Sequence, residues 1–190
     1  SSSQDSEIVN LLKNAGAIIM GKTVTCELAY IHPSKTTNPH DYTRTPGGSS
    51  SGSAAVVASH MAHLSIGSQT GGSIIRPASY CGVVGYKPSY GLISRSGVLK
   101  TSEKLDTIGV FGKTVKDVAL LAKSLIKKDL YDPATVHFAA DDMLKVCDEG
   151  PHFEPKFIFY KTDKWKNIGK ESQKAFEFLI KNFKKNVEIF

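Results

Sequence analysis

Residues 47–88 read GGSSSGSAAVVASHMAHLSIGSQTGGSIIRPASYCGVVGYKP, a stretch rich in glycine, serine and alanine. Two glycine- and serine-rich loops, 47–53 and 67–73, bracket a segment of small apolar residues. Glycines let successive backbone N–H groups converge on one point, which an oxyanion hole requires, and Ser73 at the end of the second loop is placed to attack there. Gly-Ser turns are common connectors, but two of them around a tightly packed helix are much rarer.

On both sides of this stretch the chain alternates helix and strand patterns. A segment dense in Pro, Gly, Ser, Thr and Asn, 34–53, is predicted to be loop, and 70–73 is predicted to be a turn. The predicted helices are 5–15, with Gly16 as its stop, 54–62, 114–127 and 170–186. The predicted strands are 17–20, 63–67, 81–84, 156–160 and 187–190, and 128–155 is predicted to be irregular. Such alternation indicates an α/β architecture.

Composition bounds the class of protein. With 190 residues and 41% hydrophobic content, the chain can bury the core of one domain or a large piece of one. Its three cysteines, Cys26, Cys81 and Cys147, fit neither a disulfide framework nor a metal-ligand spacing, so we expect a protein of the reducing cytoplasm. No apolar run approaches the roughly 18 residues of a membrane helix, and the start lacks the regions of a signal peptide, so a membrane is not an expected partner.

The net charge of +6 is concentrated in the last forty residues, where nine Lys against five Asp and Glu leave +4. A basic surface of this kind can bind nucleic acid. Helical spacing nevertheless puts apolar side chains on one side of the predicted helix and lysines on the other, which favours a solvated face. The apolar set is Phe176, Leu179, Ile180 and Phe183, and the basic set is Lys174, Lys181, Lys184 and Lys185.

A nucleotide-binding string competes with this interpretation. Residues 16–23, GAIIMGKT, formally match the P-loop pattern. A P-loop needs its four variable positions in a loop whose amides face phosphate, yet AIIM predicts a buried strand. We therefore reject a nucleotide site here.

Two further motifs are weak. Residues 48–52, GSSSG, match the nucleophile elbow with Ser50 as nucleophile, but that motif needs a preceding strand and 41–46 ends in a proline. No Asp and His pair is marked out for Ser50, although His137 and His152 stay open as partners. His60 and His63 lack a third ligand, so we expect ordinary, partly buried histidines and no metal or cofactor.

The stretch 47–88 resembles the signature of the amidase-signature family. Gly21-Lys-Thr, Asn38-Pro-His, Tyr90-Gly91 and Leu105-Asp106 extend the likeness, which runs from near residue 5 to near residue 123. The resemblance implies an α/β fold with a mixed sheet flanked by helices on both faces. We expect a single partial domain over 1–190, with its signature core at 47–88 and a less well matched peripheral region at 128–190.

The resemblance also assigns site residues. Ser73 corresponds to the nucleophile, and Ser49 to a bridging serine that follows a cis peptide bond and lies within hydrogen-bond reach of Ser73. Thr70, Gly71 and Gly72, together with Ser73, correspond to the backbone of the oxyanion hole.

In the family's mechanism a neutral lysine accepts a proton from the bridging serine, which deprotonates the nucleophile. An acyl-enzyme forms and water releases the acid. The lysine corresponds to a position before Ser1, whereas Lys22 matches the Gly-Lys-Thr stretch and is not assigned the role. We therefore expect residues 1–190 on their own to be inactive.

Two further departures from the family pattern favour one function over the others. Gln69 replaces a common aspartate, and Arg76 stands three residues after the nucleophile instead of two, which resembles general amidases more than amidotransferase subunits. We therefore expect a hydrolase of small-molecule amides. The sequence leaves its particular substrate and its oligomeric state open, and a homodimer is one possibility. The alternatives are the A subunit of a tRNA-dependent amidotransferase, the one case in which nucleic acid is an expected partner, and a catalytically inactive interaction module.

Overall fold

The computed structural model describes residues 4–140, 142–150, 153, 156–183 and 187–189, the last three by their backbone alone. The chain divides into two compact units, 1–148 and 149–190. The helices are α1 (Glu7–Asn14), α2 (Ser51–Ala58), α3 (Ile75–Cys81), α4 (Val115–Leu125), α5 (Met143–Glu149) and α6 (Lys170–Asn182). The strands are β1 (Ser65–Gln69), β2 (Val84–Tyr86), β3 (Thr107–Gly112), β4 (Phe157–Phe159) and β5 (Val187–Ile189). The expectation of one partial domain over 1–190 stays a prediction.

Strand β3 is the centre of the first unit. All six of its residues are buried, and β1 and β2 pair with it antiparallel, one on each side. Because successive side chains of a strand point to opposite faces, Ile108 and Val110 pack into the core with α1 and α4, while Phe111 packs with α2 and α3. The sheet thus carries helices on both faces, and the predicted α/β fold is confirmed.

Small residues allow α2 to lie close to the chain around it. Ala54 and Val57 are fully buried against the cluster that contains Ile74 and Phe111. A Cβ atom on Gly52 would lie 2.7 Å from the backbone nitrogen of Val24, so only glycine fits this approach without a shift. The segment before the signature core therefore packs directly against the first turn of α2.

Three predicted helices are confirmed with adjusted ends. Helix α1 stops before Gly16, which has a φ of +81°. Thr114 caps α4 by accepting a hydrogen bond from the Asp117 N–H, and the Asp117 side chain accepts one from the Thr114 N–H in return. Helix α6 ends at Asn182, ahead of the predicted end at 186.

The second unit is a β-α-β arrangement, as predicted, because β4 and β5 pair in parallel with α6 between them in sequence. The ring of Phe159 lies 5.5 Å from that of Trp165 and 5.8 Å from that of Phe176, centroid to centroid. Aromatic contacts of this kind stabilise the packing of α6 on β4. On the same helix, Lys174 and Lys181 are exposed as predicted, while Lys184, Lys185 and Phe190 lie outside the described residues.

The strand predicted at 17–20 is wrong. This segment is irregular, and the side chains of Ile18 and Met20 are 86% and 78% exposed. An apolar run becomes a strand only where another strand supplies hydrogen bonds, and no described strand pairs with this one. The assumption of a buried strand in this segment was therefore also wrong.

Other boundaries moved because glycine and serine were assigned to loop. The helix predicted at 54–62 begins at Ser51 and ends at Ala58, and the strand predicted at 63–67 lies at Ser65–Gln69. Cys81 ends α3 instead of starting a strand, since Gly82 takes a left-handed φ of +64° and stops the helix before β2. Helix α3, strand β3 and helix α5 had not been predicted.

No helix of the described residues has the length and apolar character needed to cross a membrane.

Candidate active site

The two glycine- and serine-rich segments meet at one end of the sheet. Strand β1 ends at Gln69, and the four residues 70–73, here called the oxyanion turn, connect it to α3. Residues 47–53, here called the first loop, lead into α2. The Ser50 N–H donates to the Ser73 carbonyl oxygen at 3.2 Å, so a backbone hydrogen bond joins the first loop to the oxyanion turn.

Ser49 occupies a constrained backbone position in the first loop. The Gly48–Ser49 peptide bond is cis, as predicted. The carbonyl oxygen of Ser49 accepts hydrogen bonds from the N–H groups of Cys26 and Ser51, both at 2.9 Å, and the residue is 3% exposed. Hydrogen bonds from two directions thus hold the backbone at this serine.

The hydroxyl groups of Ser49 and Ser73 are both uncommitted within the described residues. Ser73 is half-buried and Ser49 is buried. No hydrogen bond links the two hydroxyl groups in this part of the chain, so their direct contact stays a prediction. Their backbones are nonetheless adjacent through the Ser50 N–H.

The remaining serines of the first loop have structural partners. The Ser50 hydroxyl donates to the Ser68 carbonyl oxygen at 3.2 Å and accepts from the Ser68 N–H at 3.3 Å. The hydroxyls of Ser51 and Ser53 donate to the carbonyl oxygens of Gly47 and Ile66, each at 2.7 Å. These bonds tie α2 to β1 and its own preceding loop.

The nucleophile elbow at Ser50 loses its support. The Ser50 hydroxyl makes two hydrogen bonds, and the residue is only 2% exposed. The preceding segment, 41–46, contains one isolated bridge residue but no strand. His137 is exposed and makes no hydrogen bond to Ser50, and His152 lies outside the described residues.

The oxyanion turn presents unused backbone donors. Within the described residues the N–H groups of Gly71, Gly72 and Ser73 donate no hydrogen bond. The next two N–H groups, of Ile74 and Ile75, are bound by the side-chain oxygen of Gln69 at 2.8 and 3.0 Å. Donors are therefore free at the turn itself and satisfied immediately after it.

The side chain of Gln69 holds both ends of this segment through hydrogen bonds, a role that the sequence did not reveal. It is 8% exposed, and besides accepting from the two isoleucines its amide donates to the Gly71 carbonyl oxygen at 3.3 Å. The sequence shows that Gln69 departs from the family pattern. It does not show that this one side chain spans the whole turn.

Charged groups flank the turn on two sides. The Thr70 hydroxyl donates to the Asp106 carboxylate at 2.5 Å. The guanidinium of Arg76 lies beside Gly72. A Cβ atom built on that glycine would be 3.0 Å from Arg76 Nη2. A cation next to free N–H groups favours a negative charge at the turn.

The weaker motifs of the sequence do not form sites among the described residues. Lys22 is exposed in an irregular segment, so the P-loop order of strand, loop and helix is absent there. His60 and His63 are exposed, and not partly buried as predicted. The three cysteines are free thiols, and no cluster of His, Cys, Asp and Glu in the described residues suits a metal ion.

Comparisons with known proteins agree on one family. The family model described as Amidase matches residues 1–187. One of the glutamyl-tRNA(Gln) amidotransferase A subunits of Clostridium acetobutylicum is 46% identical over 153 residues, which are 77% of this chain and 32% of that protein. The chain thus spans about a third of the length of the curated relative it matches.

Two solved structures share the fold. The crystal structure of the A subunit of glutamyl-tRNA(Gln) amidotransferase from Thermotoga maritima matches with a TM-score of 0.88 at 37% identity, covering 100% of this chain and 43% of that one. Native peptide amidase from Stenotrophomonas maltophilia matches with a TM-score of 0.83 at 30% identity, covering 98% and 41%.

Proposed function

We propose that this chain, which belongs to the Amidase family, carries the nucleophile and the oxyanion hole of an enzyme that cleaves carboxylic amides. Ser73 is the nucleophile, Ser49 the bridging serine, and the backbone N–H groups of the oxyanion turn stabilise the transition state. The expected substrates are small-molecule amides of the reducing cytoplasm, and no cofactor takes part.

One observation carries this proposal. Of the serine hydroxyls in the first loop and the oxyanion turn, those of Ser50, Ser51 and Ser53 have structural partners, while those of Ser49 and Ser73 have none in the described residues. The free N–H groups of the turn lie on the same short segment as Ser73. Uncommitted donors beside an uncommitted hydroxyl are what acyl transfer by a serine requires.

The mechanism follows from these groups. The Ser73 hydroxyl oxygen attacks the amide carbonyl carbon as its proton passes to Ser49, whose own proton passes to a lysine. The N–H groups of Gly71, Gly72 and Ser73 bind the oxyanion that forms. The C–N bond then breaks, the amine leaves with a proton returned along the relay, and water releases the acid from the Ser73 ester.

The relay needs a proton acceptor, because a serine hydroxyl is a weak nucleophile near neutral pH. The family resemblance puts that lysine before Ser1, and we assign no such role to the exposed Lys22. Residues 1–190 alone are therefore expected to cleave amides far more slowly than the protein expressed from its complete reading frame.

The test is hydrolysis of a panel of aryl and alkyl amides by the protein expressed from its complete reading frame. Ser73→Ala should lower kcat by at least about 10³-fold, as loss of a serine nucleophile does elsewhere. Ser50→Ala, the matched control one serine away from the relay, should retain most of the activity. Activity that survives Ser73→Ala and is lost in Ser50→Ala would overturn the assignment in favour of the nucleophile elbow.

A second function is favoured by several curated relatives that are amidotransferase A subunits at 42–49% identity. Among solved structures the amidotransferase A subunit from Thermotoga maritima is 37% identical, and the amidases are 28–34% identical. In this case the same site would release ammonia for transfer to a glutamyl-tRNA, which requires tRNA and a partner protein. Ammonia release from glutamine that rises when glutamyl-tRNA(Gln) and co-purified proteins are added would favour this function. Turnover of simple amides that is indifferent to both would favour the hydrolase.

A further inference from the structure

We propose that Asp106 is a positioning residue for the oxyanion turn, and that it acts on the chemistry of Ser73 through the hydroxyl group of Thr70. The inference deepens the proposed function and rests on it, because both concern the same turn. Among the described residues Asp106 makes no hydrogen bond to Ser73 itself.

Strand pairing places Asp106 beside the turn. In the antiparallel register of β1 and β3, Gln69 lies opposite Thr107. The residue that follows Gln69 is therefore opposite the residue that precedes Thr107, which brings Thr70 and Asp106 together although they are 36 residues apart. The buried strand β3 supplies a rigid base for the carboxylate.

The Asp106 carboxylate has partners on both sides. One oxygen accepts from the Thr70 hydroxyl at 2.5 Å, and the other accepts from the N–H groups of Thr101 and Ser102 at 2.6 and 2.9 Å. The Thr101 hydroxyl lies 3.2 Å from the second oxygen and 3.3 Å from Thr70 Oγ1. Two backbone donors thus fix the carboxylate, and the fixed carboxylate holds Thr70.

These hydrogen bonds also keep the group charged. Burial acts to raise the pKa of Asp106, but the bonds from Thr70, Ser102 and Thr101 outweigh it and lower the pKa below its usual value. The carboxylate is therefore ionised throughout the neutral range and accepts a charge-assisted bond from Thr70.

The turn needs such an anchor because it contains two adjacent glycines. A Cβ at Gly71 would have nothing within 4 Å, so this part of the turn is open and is not held by side-chain packing. Gln69 secures the far side of the turn at Ile74 and Ile75. Among the described residues, Asp106 is the carboxylate that secures the near side, at Thr70.

The test uses a fluorophosphonate probe on the protein expressed from its complete reading frame. The Ser73 oxygen forms a bond to phosphorus as the P–F bond breaks, fluoride leaves, and the serine proton passes to the base. The phosphonyl oxygen takes the place of the oxyanion, so the labelling rate constant reports the position of the turn. Labelling kinetics at several probe concentrations separate the maximal rate constant from the probe's binding constant.

Asp106→Asn should lower the maximal labelling rate constant by about 10²-fold and change the binding constant little, as a displacement of about 1 Å at a reacting centre does. The asparagine amide has one acceptor where the carboxylate has two, so if its oxygen keeps the N–H groups of Thr101 and Ser102, its NH2 group faces Thr70 and the Thr70 hydroxyl loses its acceptor. Labelling of Asp106→Asn at the native rate would overturn the positioning role.

Variants of Thr70 test the same link without changing the carboxylate. Thr70→Val replaces the hydroxyl group with a methyl group and should lower the maximal rate constant by about 10-fold, whereas Thr70→Ser should keep most of the native rate. Equal rates for valine and serine at this position would overturn the proposal even if Asp106→Asn fails to fold.

A matched control is available at Asp129. This buried carboxylate accepts from the hydroxyls of Ser94 and Ser96, each at 2.5 Å, and from the Tyr131 N–H, but from no residue of the turn. Asp129→Asn should lower the melting temperature to a similar extent and leave the labelling kinetics unchanged. A parallel fall in labelling would show that loss of stability alone explains Asp106→Asn and would overturn the proposal.

The Ser73→Ala variant separates this proposal from the proposed function. Labelling that persists in Ser73→Ala overturns the proposed function, and the role of Asp106 with it. Labelling that is lost in Ser73→Ala but unchanged in Asp106→Asn overturns the positioning role alone.

Discussion

The first loop and the oxyanion turn have nearly the same composition and opposite structural roles. In the first loop the hydroxyls of Ser50, Ser51 and Ser53 bind backbone carbonyls, and glycine allows close packing. In the oxyanion turn the N–H groups have no partner among the described residues, and Gly71 faces open space. The comparison teaches that glycine and serine content alone does not distinguish a loop packed through its hydroxyl groups from a turn whose glycine faces open space.

Alanine substitutions of glycine should show the largest difference in stability between the two segments. In Gly52→Ala the new methyl would lie 2.7 and 2.8 Å from the backbone nitrogen and oxygen of Val24. Because the neighbours are backbone atoms, the cost of overpacking should lie near the upper end of about 1–3 kcal/mol. After the roughly 1 kcal/mol that alanine gains over glycine in a helix, the net loss is about 2 kcal/mol. Urea denaturation should therefore show a lower free energy of unfolding.

Gly71→Ala is the matched substitution in the turn, and the new methyl would have no neighbour within 4 Å. Its free energy of unfolding should stay within about 0.5 kcal/mol of the native value. Equal destabilisation by the two alanines would contradict the contrast between a packed loop and an open turn.

Removal of a loop hydroxyl should have the next largest effect. Ser50→Ala loses the bond to the Ser68 carbonyl and leaves the Ser68 N–H without its acceptor. We expect a loss of about 1–2 kcal/mol in the free energy of unfolding, with fluorophosphonate labelling largely retained. A stable Ser50→Ala protein that no longer reacts would place the nucleophile in the first loop.

The two segments should also differ, more weakly, in their response to acid. The first loop is held by neutral hydroxyl groups, while the turn is held by Asp106, whose folded-state pKa is lowered. Its contribution to stability is complete above the unfolded pKa of about 3.9 and is lost as the pH falls through the lower folded pKa.

Asp106→Asn should therefore lose less stability than the native protein when the pH drops below about 4. Ser50→Ala should follow the native pH dependence at a lower level. Acid titrations followed by circular dichroism would detect the difference, and parallel curves for Asp106→Asn and the native protein would refute it.

Much of this organisation could be predicted from the sequence because it is local. Apolar spacing and a glycine stop located α1, and apolar spacing located α4. The cis bond before Ser49 followed from the family resemblance and is present. Local signals thus located several helices, and the family resemblance assigned the candidate serines.

What could not be predicted depends on pairing between distant segments. The apolar run at 17–20 has no strand beside it, whereas the glycine-containing β3 became the central strand because β1 and β2 flank it. The contact of Thr70 with Asp106 depends on the register of β1 and β3, which no local pattern encodes.

Mapping the fluorophosphonate adduct to a peptide identifies the nucleophilic serine directly. Trypsin leaves Ser49, Ser50 and Ser73 in one peptide, 45–95, because prolines follow Arg76 and Lys87. Chymotrypsin, which cleaves after residues such as Met61 and Leu64, separates Ser73 from the other two. We expect one adduct per chain, carried by the peptide that contains Ser73. An adduct on the peptide that contains Ser49 and Ser50 would rule out Ser73 as the nucleophile.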